Sequence, residues 1–128
     1  MPGSYLLDTN IIIAFWKSDP SIVEKLTGVN IVLSCTVVGE LLWGAHKSQQ
    51  SEPNINRIDD YVSSNVVFVV DYETAKFYGR VKSVLMSTGN PIPENDVWIA
   101  ALALQHDLIL VSRDHHFKAI TGLKLEFW

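Results

Sequence analysis

The chain has 128 residues, 48% hydrophobic and 19% charged, a length and mixture that suit one globular domain over residues 1–128 and exclude a disordered chain. The formal net charge of −4 argues against a protein that coats nucleic acid by basic charge alone, but not against a nucleic-acid enzyme whose positive charge comes from bound metal ions. No apolar run approaches the ~20 residues of a membrane helix, no signal peptide opens the sequence, and the single Cys35 cannot form an internal disulfide, which together fit a reducing cytoplasm.

Tyr5–Leu7 predicts a first strand that stops at Asp8, and a short helix follows from Ile11 to about Lys17. Asp19-Pro20 has the form of an N-cap with proline at the first helical position, opening Ser21–Leu26. Ile31–Ser34 reads as a short strand and Thr36 as the cap of a helix running to about Lys47. The polar stretch SQQSEPN predicts a loop, and Ile55–Val62 a short helix with Ile55, Ile58 and Val62 on one face. The β-branched run Val66–Val70 predicts a buried strand. Apolar residues at 75, 77, 78, 81, 84 and 85 predict an amphipathic helix over Tyr72–Met86, ended by Ser87-Thr88-Gly89-Asn90. Pro91 and Pro93 lead in extended form to an apolar helix over Val97–Gln105. Leu108–Val111 predicts a strand, His115–Ile120 a short helix and Leu123–Phe127 a final strand. Strands that alternate with helices predict an α/β fold. The expected form is a three-layer α/β/α sandwich around a mainly parallel sheet of four or five strands, with right-handed crossovers.

Such sheets bind ligands outside the carboxyl ends of their strands, and Asp8 lies at one such end. Three further carboxylates stand where stability alone does not require them. Glu40, in TVVGELLWGA, falls away from the apolar face of Val37, Val38, Leu41, Leu42 and Ala45, and Gly44 one turn later leaves room for a ligand beside it. A capping box with Thr36 would need the acid where Gly39 stands. Asp96, in PENDVWIAA, opens a helix whose dipole favours negative charge, and Asp114 follows the strand LILVS. Each acid has a plain structural alternative: a cap for Asp8 and Asp114, a solvated side chain for Glu40, dipole compensation for Asp96 and more so for Glu94. Gathered in one low-dielectric cleft, however, they would repel strongly without a cation. Oxygen donors without a Cys or a convincing His set favour a hard ion, Mg²⁺ or Mn²⁺. His115 and His116 give only a weak zinc signal, because adjacent histidines diverge on a helix and no HExxH partner exists. His46 and His106 sit near predicted helix ends and read as surface or capping residues.

In order along the chain, LLDTN, GELLWGAHKS, PENDVWIAALAL and LILVSRDHHFKAITGLKLEFW resemble the motifs of PIN-domain ribonucleases, and most of all the VapC-type toxins of toxin–antitoxin pairs. The resemblance runs from Tyr5 to Trp128. It implies catalytic and metal-holding acids at Asp8, Glu40, Asp96 and Asp114, with Thr9, Asn10 and Thr36 as supporting polar groups. Ser112 stands where the family usually has Thr, and Asp114 fills a position that varies and is often Asn. The implied activity is a Mg²⁺- or Mn²⁺-dependent endoribonuclease that cuts transfer or ribosomal RNA, leaves 5′-phosphate and 3′-hydroxyl ends and inhibits translation. A VapB-type antitoxin whose C-terminal segment blocks the acidic cleft, and a homodimer, are the implied partners. Lys47, Arg113 and Lys118 are the basic residues nearest the motifs and the candidates to hold the RNA backbone; Trp43 is a candidate to stack a base, with packing favoured. Two other classes remain open. One is a catalytically degenerate PIN-like module that binds RNA or protein without cutting. The other is a phosphoacceptor signalling domain with Asp71 after VVFVV, which lacks the lysine such domains need after LILVS, where Arg113 stands.

Overall fold

A computed structural model describes residues 3–128. They form β1 (Tyr5–Leu7), α1 (Thr9–Trp16), α2 (Pro20–Leu26), β2 (Ile31–Ser34), α3 (Cys35–His46), α4 (Ser51–Ser63), β3 (Val66–Phe68), α5 (Tyr72–Ser87), α6 (Glu94–Gln105), β4 (Ile109–Ser112), a 3₁₀ turn (His115–Ala119) and β5 (Lys124–Phe127). The five strands make one sheet in the order β3-β2-β1-β4-β5, and every pairing is parallel.

The chain steps outward from the central β1 to β2 and β3, then crosses back to β4 and β5. Right-handed crossovers therefore put α1–α4 on one face and α5 and α6 on the other. Consecutive strand residues are fully buried, Leu6 with Leu7, Val32 with Leu33, and Leu110 with Val111, as a sheet covered on both faces requires. Helix α6 buries Val97, Ile99, Ala100, Ala101, Leu102 and Ala103, which leaves it hardly any polar face, and α5 packs along it as an outer layer. The predicted three-layer α/β sandwich is the observed fold.

The differences are local and have physical causes. Ser34, not Thr36, caps α3: its hydroxyl accepts from the Val37 N–H at 3.0 Å, so Thr36 lies inside the first turn. Helix α4 begins at Ser51, inside the predicted loop, and tolerates Pro53 because the first-turn N–H groups have no partner within the helix. The run Val66–Val70 is not a buried strand. Only Val66–Phe68 pairs, on the sheet edge, and Val66, Val69 and Val70 are exposed. Helix α6 starts at Glu94, where the Pro93 carbonyl accepts from the N–H groups of Asp96 and Val97. The strand expected at Leu108–Val111 sits one residue on, because the Leu108 N–H still closes α6 onto the Ala103 carbonyl. Asp71 caps α5 in a reciprocal box with Thr74 and also accepts from Gln105, so its carboxylate is committed to structure.

Candidate active site

The direction of the strand order reverses between β1 and β4, and at such a switch point the loops part and leave a crevice at the carboxyl ends of the strands. Asp8 is the first residue beyond β1, and its backbone N–H is pinned to the Val111 carbonyl of β4 at 2.9 Å. Its side chain caps α1 through the Thr9 N–H at 2.8 Å, which still leaves Oδ2 facing β4. There the buried Ser112 hydroxyl donates to Asp8 Oδ2 at 2.6 Å. Capping α1 thus occupies Oδ1 and leaves Oδ2 of Asp8 turned toward the crevice side of β4.

Around this pair stand the other three acids. Glu40, on α3, accepts from the Thr9 hydroxyl through Oε2 at 3.0 Å, while Oε1 is buried and has no hydrogen-bond partner among the described residues. Asp96, on the first turn of α6, is buried. Asp114 occupies the cap position of the 3₁₀ turn yet makes no side-chain cap bond, so its carboxylate is not spent on the backbone. The Asn10 amide links them, donating at 3.4 Å to Asp114 Oδ2 and to Ser112 Oγ, and at 3.5 Å to Asp8 Oδ2. A cavity of about 390 Å³ is lined by Asp8, Thr9, Asn10, Glu40, Asp96 and Asp114. Beside it a groove of about 290 Å³ between α1, α3 and α4 includes Glu40 and Gly44, the open space expected one turn beyond the acid.

Burial pushes the carboxyls of Asp8, Glu40 and Asp96 above the usual carboxylate range. Neighbouring carboxylates push the same way: Asp114 acts on all three, Asp8 on Glu40 and Asp96, and Asp96 on Glu40. The Ser112 and Thr9 bonds to Asp8, the Thr9 bond to Glu40 and the neighbouring His116 at Asp96 oppose the rise. An ensemble of acids that resist ionisation, with one buried oxygen unpartnered, fits a divalent cation in both charge and donor type.

The remaining expectations separate cleanly. Thr9, Asn10 and Ser112 join the acids; Thr36 does not line the cavity. Lys47 lies over the Trp43 ring at 5.0 Å and Lys118 over Phe127 at 5.2 Å. The Arg113 guanidinium is held by Asp19 at 2.9 Å and by the Trp128 carbonyl at 3.0 Å. None of these three cations lines the acidic cavity. Glu94 turns away, taking the Tyr78 hydroxyl and, at 2.6 Å, Lys82. His116, only a weak zinc signal in the sequence, places its Nε2 2.7 Å from Asp96 Oδ2. Divergence of adjacent histidines was a sound expectation, but it frees one of the two for the site: His115 stacks on Phe127 at 4.2 Å while His116 faces Asp96.

Fold, switch-point acids and family model agree: residues 5–123 match the PIN domain, and the chain belongs to the PIN-domain family. The likeness extends to the VapC ribonucleases within it. The chain is 37% identical over 130 residues to "Ribonuclease VapC2" of Haemophilus influenzae, covering 97% of each. It is 33% identical over 128 residues to the "tRNA(fMet)-specific endonuclease VapC" of Shigella flexneri, again covering 97% of each. Among solved structures, VapBC2 from Rickettsia felis bound to a promoter DNA fragment superposes with a TM-score of 0.89 at 30% identity, covering 98% of both chains.

Proposed function

We propose that this chain is a metal-dependent endoribonuclease, the VapC-type toxin of a toxin–antitoxin pair, which inhibits translation by hydrolysing transfer or ribosomal RNA. The observation that carries the reading is the convergence of Asp8, Glu40, Asp96 and Asp114 on one cavity, with a buried Glu40 oxygen that has no partner among the described residues. Acids so arranged destabilise the fold unless a cation joins them.

Asp8, Glu40 and Asp96 would hold one or two Mg²⁺ or Mn²⁺ ions, with Asp114 assisting. A bound ion of this kind lowers the pKa of a water and offsets charge developing on the phosphate and the leaving oxygen. The chain's own groups fix the acids. Ser112 holds Oδ2 of Asp8, Thr9 holds Oε2 of Glu40 so that Oε1 stays available, and Asn10 ties Asp114 to Asp8. The products would carry 5′-phosphate and 3′-hydroxyl ends.

The name of the Shigella flexneri relative supports transfer RNA as the first substrate to test. Solved relatives in complex with VapB support an antitoxin partner, and a homodimer in the cytoplasm completes the reading. Among the described residues no helix is long and apolar enough to cross a membrane. The test is incubation of the purified chain, freed of antitoxin, with transfer and total RNA in Mn²⁺ or Mg²⁺, then with EDTA. Cleavage that EDTA abolishes, with 5′-phosphate ends, is expected. Intact RNA after incubation with folded, metal-loaded protein would favour a degenerate binding module instead.

A further inference from the structure

We propose that His116 is a ligand to the metal ion, an imidazole nitrogen added to the carboxylates of Asp96 and Asp114 that biases this site toward Mn²⁺ over Mg²⁺. The inference rests on the cation site of the preceding section and deepens it. Donor atoms of Asp96, Asp114 and His116 all lie within 4.8 Å of one another. Donors that share one ion at about 2.1 Å each stand at most ~4.2 Å apart, so a small side-chain adjustment suffices to gather them.

The orientation of His116 is built into the fold. It sits on the 3₁₀ turn beside Phe117, a fully buried anchor, and its ring leans on Phe117 at 4.7 Å. Nε2 is buried and makes no hydrogen bond of acceptable geometry, although it lies 2.7 Å from Asp96 Oδ2. A donor atom brought this close to a carboxylate without a proper hydrogen bond is placed as two ligands of one ion are placed. The rival arrangement is an imidazolium paired with Asp96, in which His116 substitutes for part of the cation's charge and never touches the metal.

The chemistry separates the two arrangements. Mg²⁺ selects oxygen donors and keeps its waters, whereas Mn²⁺, though it too favours oxygen, binds mixed N/O sites as a first-row transition metal and so gains from an imidazole nitrogen that Mg²⁺ does not use. A His116 ligand therefore favours Mn²⁺ selectively, while a simple ion pair would act on both ions alike.

The experiment titrates Mn²⁺ into the full chain, freed of antitoxin, and records electron spin echo modulation of the bound ion. Modulation from a directly coordinated ¹⁴N is expected in the wild type and absent in His116→Gln. In that variant Mn²⁺ affinity falls by roughly tenfold or more while Mg²⁺ affinity, measured by competition, stays within about twofold. Mn²⁺ bound to the wild type without nitrogen modulation would overturn the assignment and leave the carboxylate site standing, as would modulation that persists in His116→Gln. Absence of Mn²⁺ binding to folded wild type would overturn both this inference and the metal-dependent reading beneath it. The wild-type spectrum decides even if the variant folds poorly.

Discussion

Ser112→Ala tests how the fold holds its central acid. The Ser112 hydroxyl is fully buried and donates to Asp8 Oδ2 at 2.6 Å. It also accepts from the Asp114 N–H at 3.0 Å and from the Asn10 amide at 3.4 Å. Asp114 is exposed, so water recovers its N–H after the substitution, but Asp8 is 3% exposed and its Oδ2 is left with only the long Asn10 contact. Removing a hydrogen bond to a buried charged group costs about 2 kcal/mol. At about 3–5 °C per kcal/mol for a chain of this size, Tm should fall by roughly 6–10 °C in EDTA at neutral pH. Ser112 is also the chief group holding the Asp8 carboxyl down against burial, so its loss lets that carboxyl rise further. The gap between variant and wild type should therefore narrow as pH falls and Asp8 is protonated in both. Thermal melts from pH 8 to pH 5 by circular dichroism measure this. A Tm within about 2 °C of wild type at every pH would refute the role assigned to Ser112.

Asp8→Asn keeps the cap and removes a charge whose carboxyl burial holds above its ordinary value. The folded state then binds more protons than the unfolded chain, so metal-free wild type should lose stability as pH rises through the elevated Asp8 value. The variant should melt higher than wild type in EDTA at pH 7, with a shallower pH dependence, and should gain nothing from Mn²⁺ in differential scanning fluorimetry. Arg113→Ala releases Asp19, whose carboxyl the guanidinium holds down at about 2. That contribution is present above the ordinary carboxylate value and disappears as pH falls toward 2. The variant should therefore melt lower at neutral pH, converge on wild type in acid and keep its KM for RNA. Leu110→Ala opens a hole in β4 beside the central strand and should cost about 2–5 kcal/mol in urea unfolding, with no specific effect on metal affinity measured in the folded fraction.

The alternation of short apolar strands with amphipathic helices made the layer architecture legible, because burial on both faces leaves continuous runs such as YLL and LILV. That the acids would gather was legible for a related reason. Asp8 and Asp114 interrupt those runs where strands meet helices, and Asp96 opens, with Glu94 and Asn95, a helix otherwise too apolar to need three polar residues at its start. What the sequence concealed depends on tertiary pairing. Ser34 and Thr36 both qualify as caps, and only the end of β2 decides between them. The run from Val66 to Val70 has a core composition, yet β3 has a partner on one side only. Arg113 read as a candidate to hold the RNA backbone, and its bonds to Asp19 and Trp128, remote in sequence, are invisible until the chain folds. His116 was undervalued because a 3₁₀ turn, unlike a longer helix, separates adjacent side chains cleanly enough for one to stack and the other to reach the acids.

The central claim is that acids gathered at the β1/β4 switch point hold the ion on which RNA cleavage depends. It is tested most directly by one paired measurement: cleavage of transfer RNA against Mn²⁺ concentration for the wild type and for Asp96→Asn, both shown to be folded. The account predicts saturable, metal-dependent cleavage by the wild type and none by the variant, which keeps its fold. Equal cleavage by the two proteins, or wild-type cleavage that survives EDTA, would contradict it.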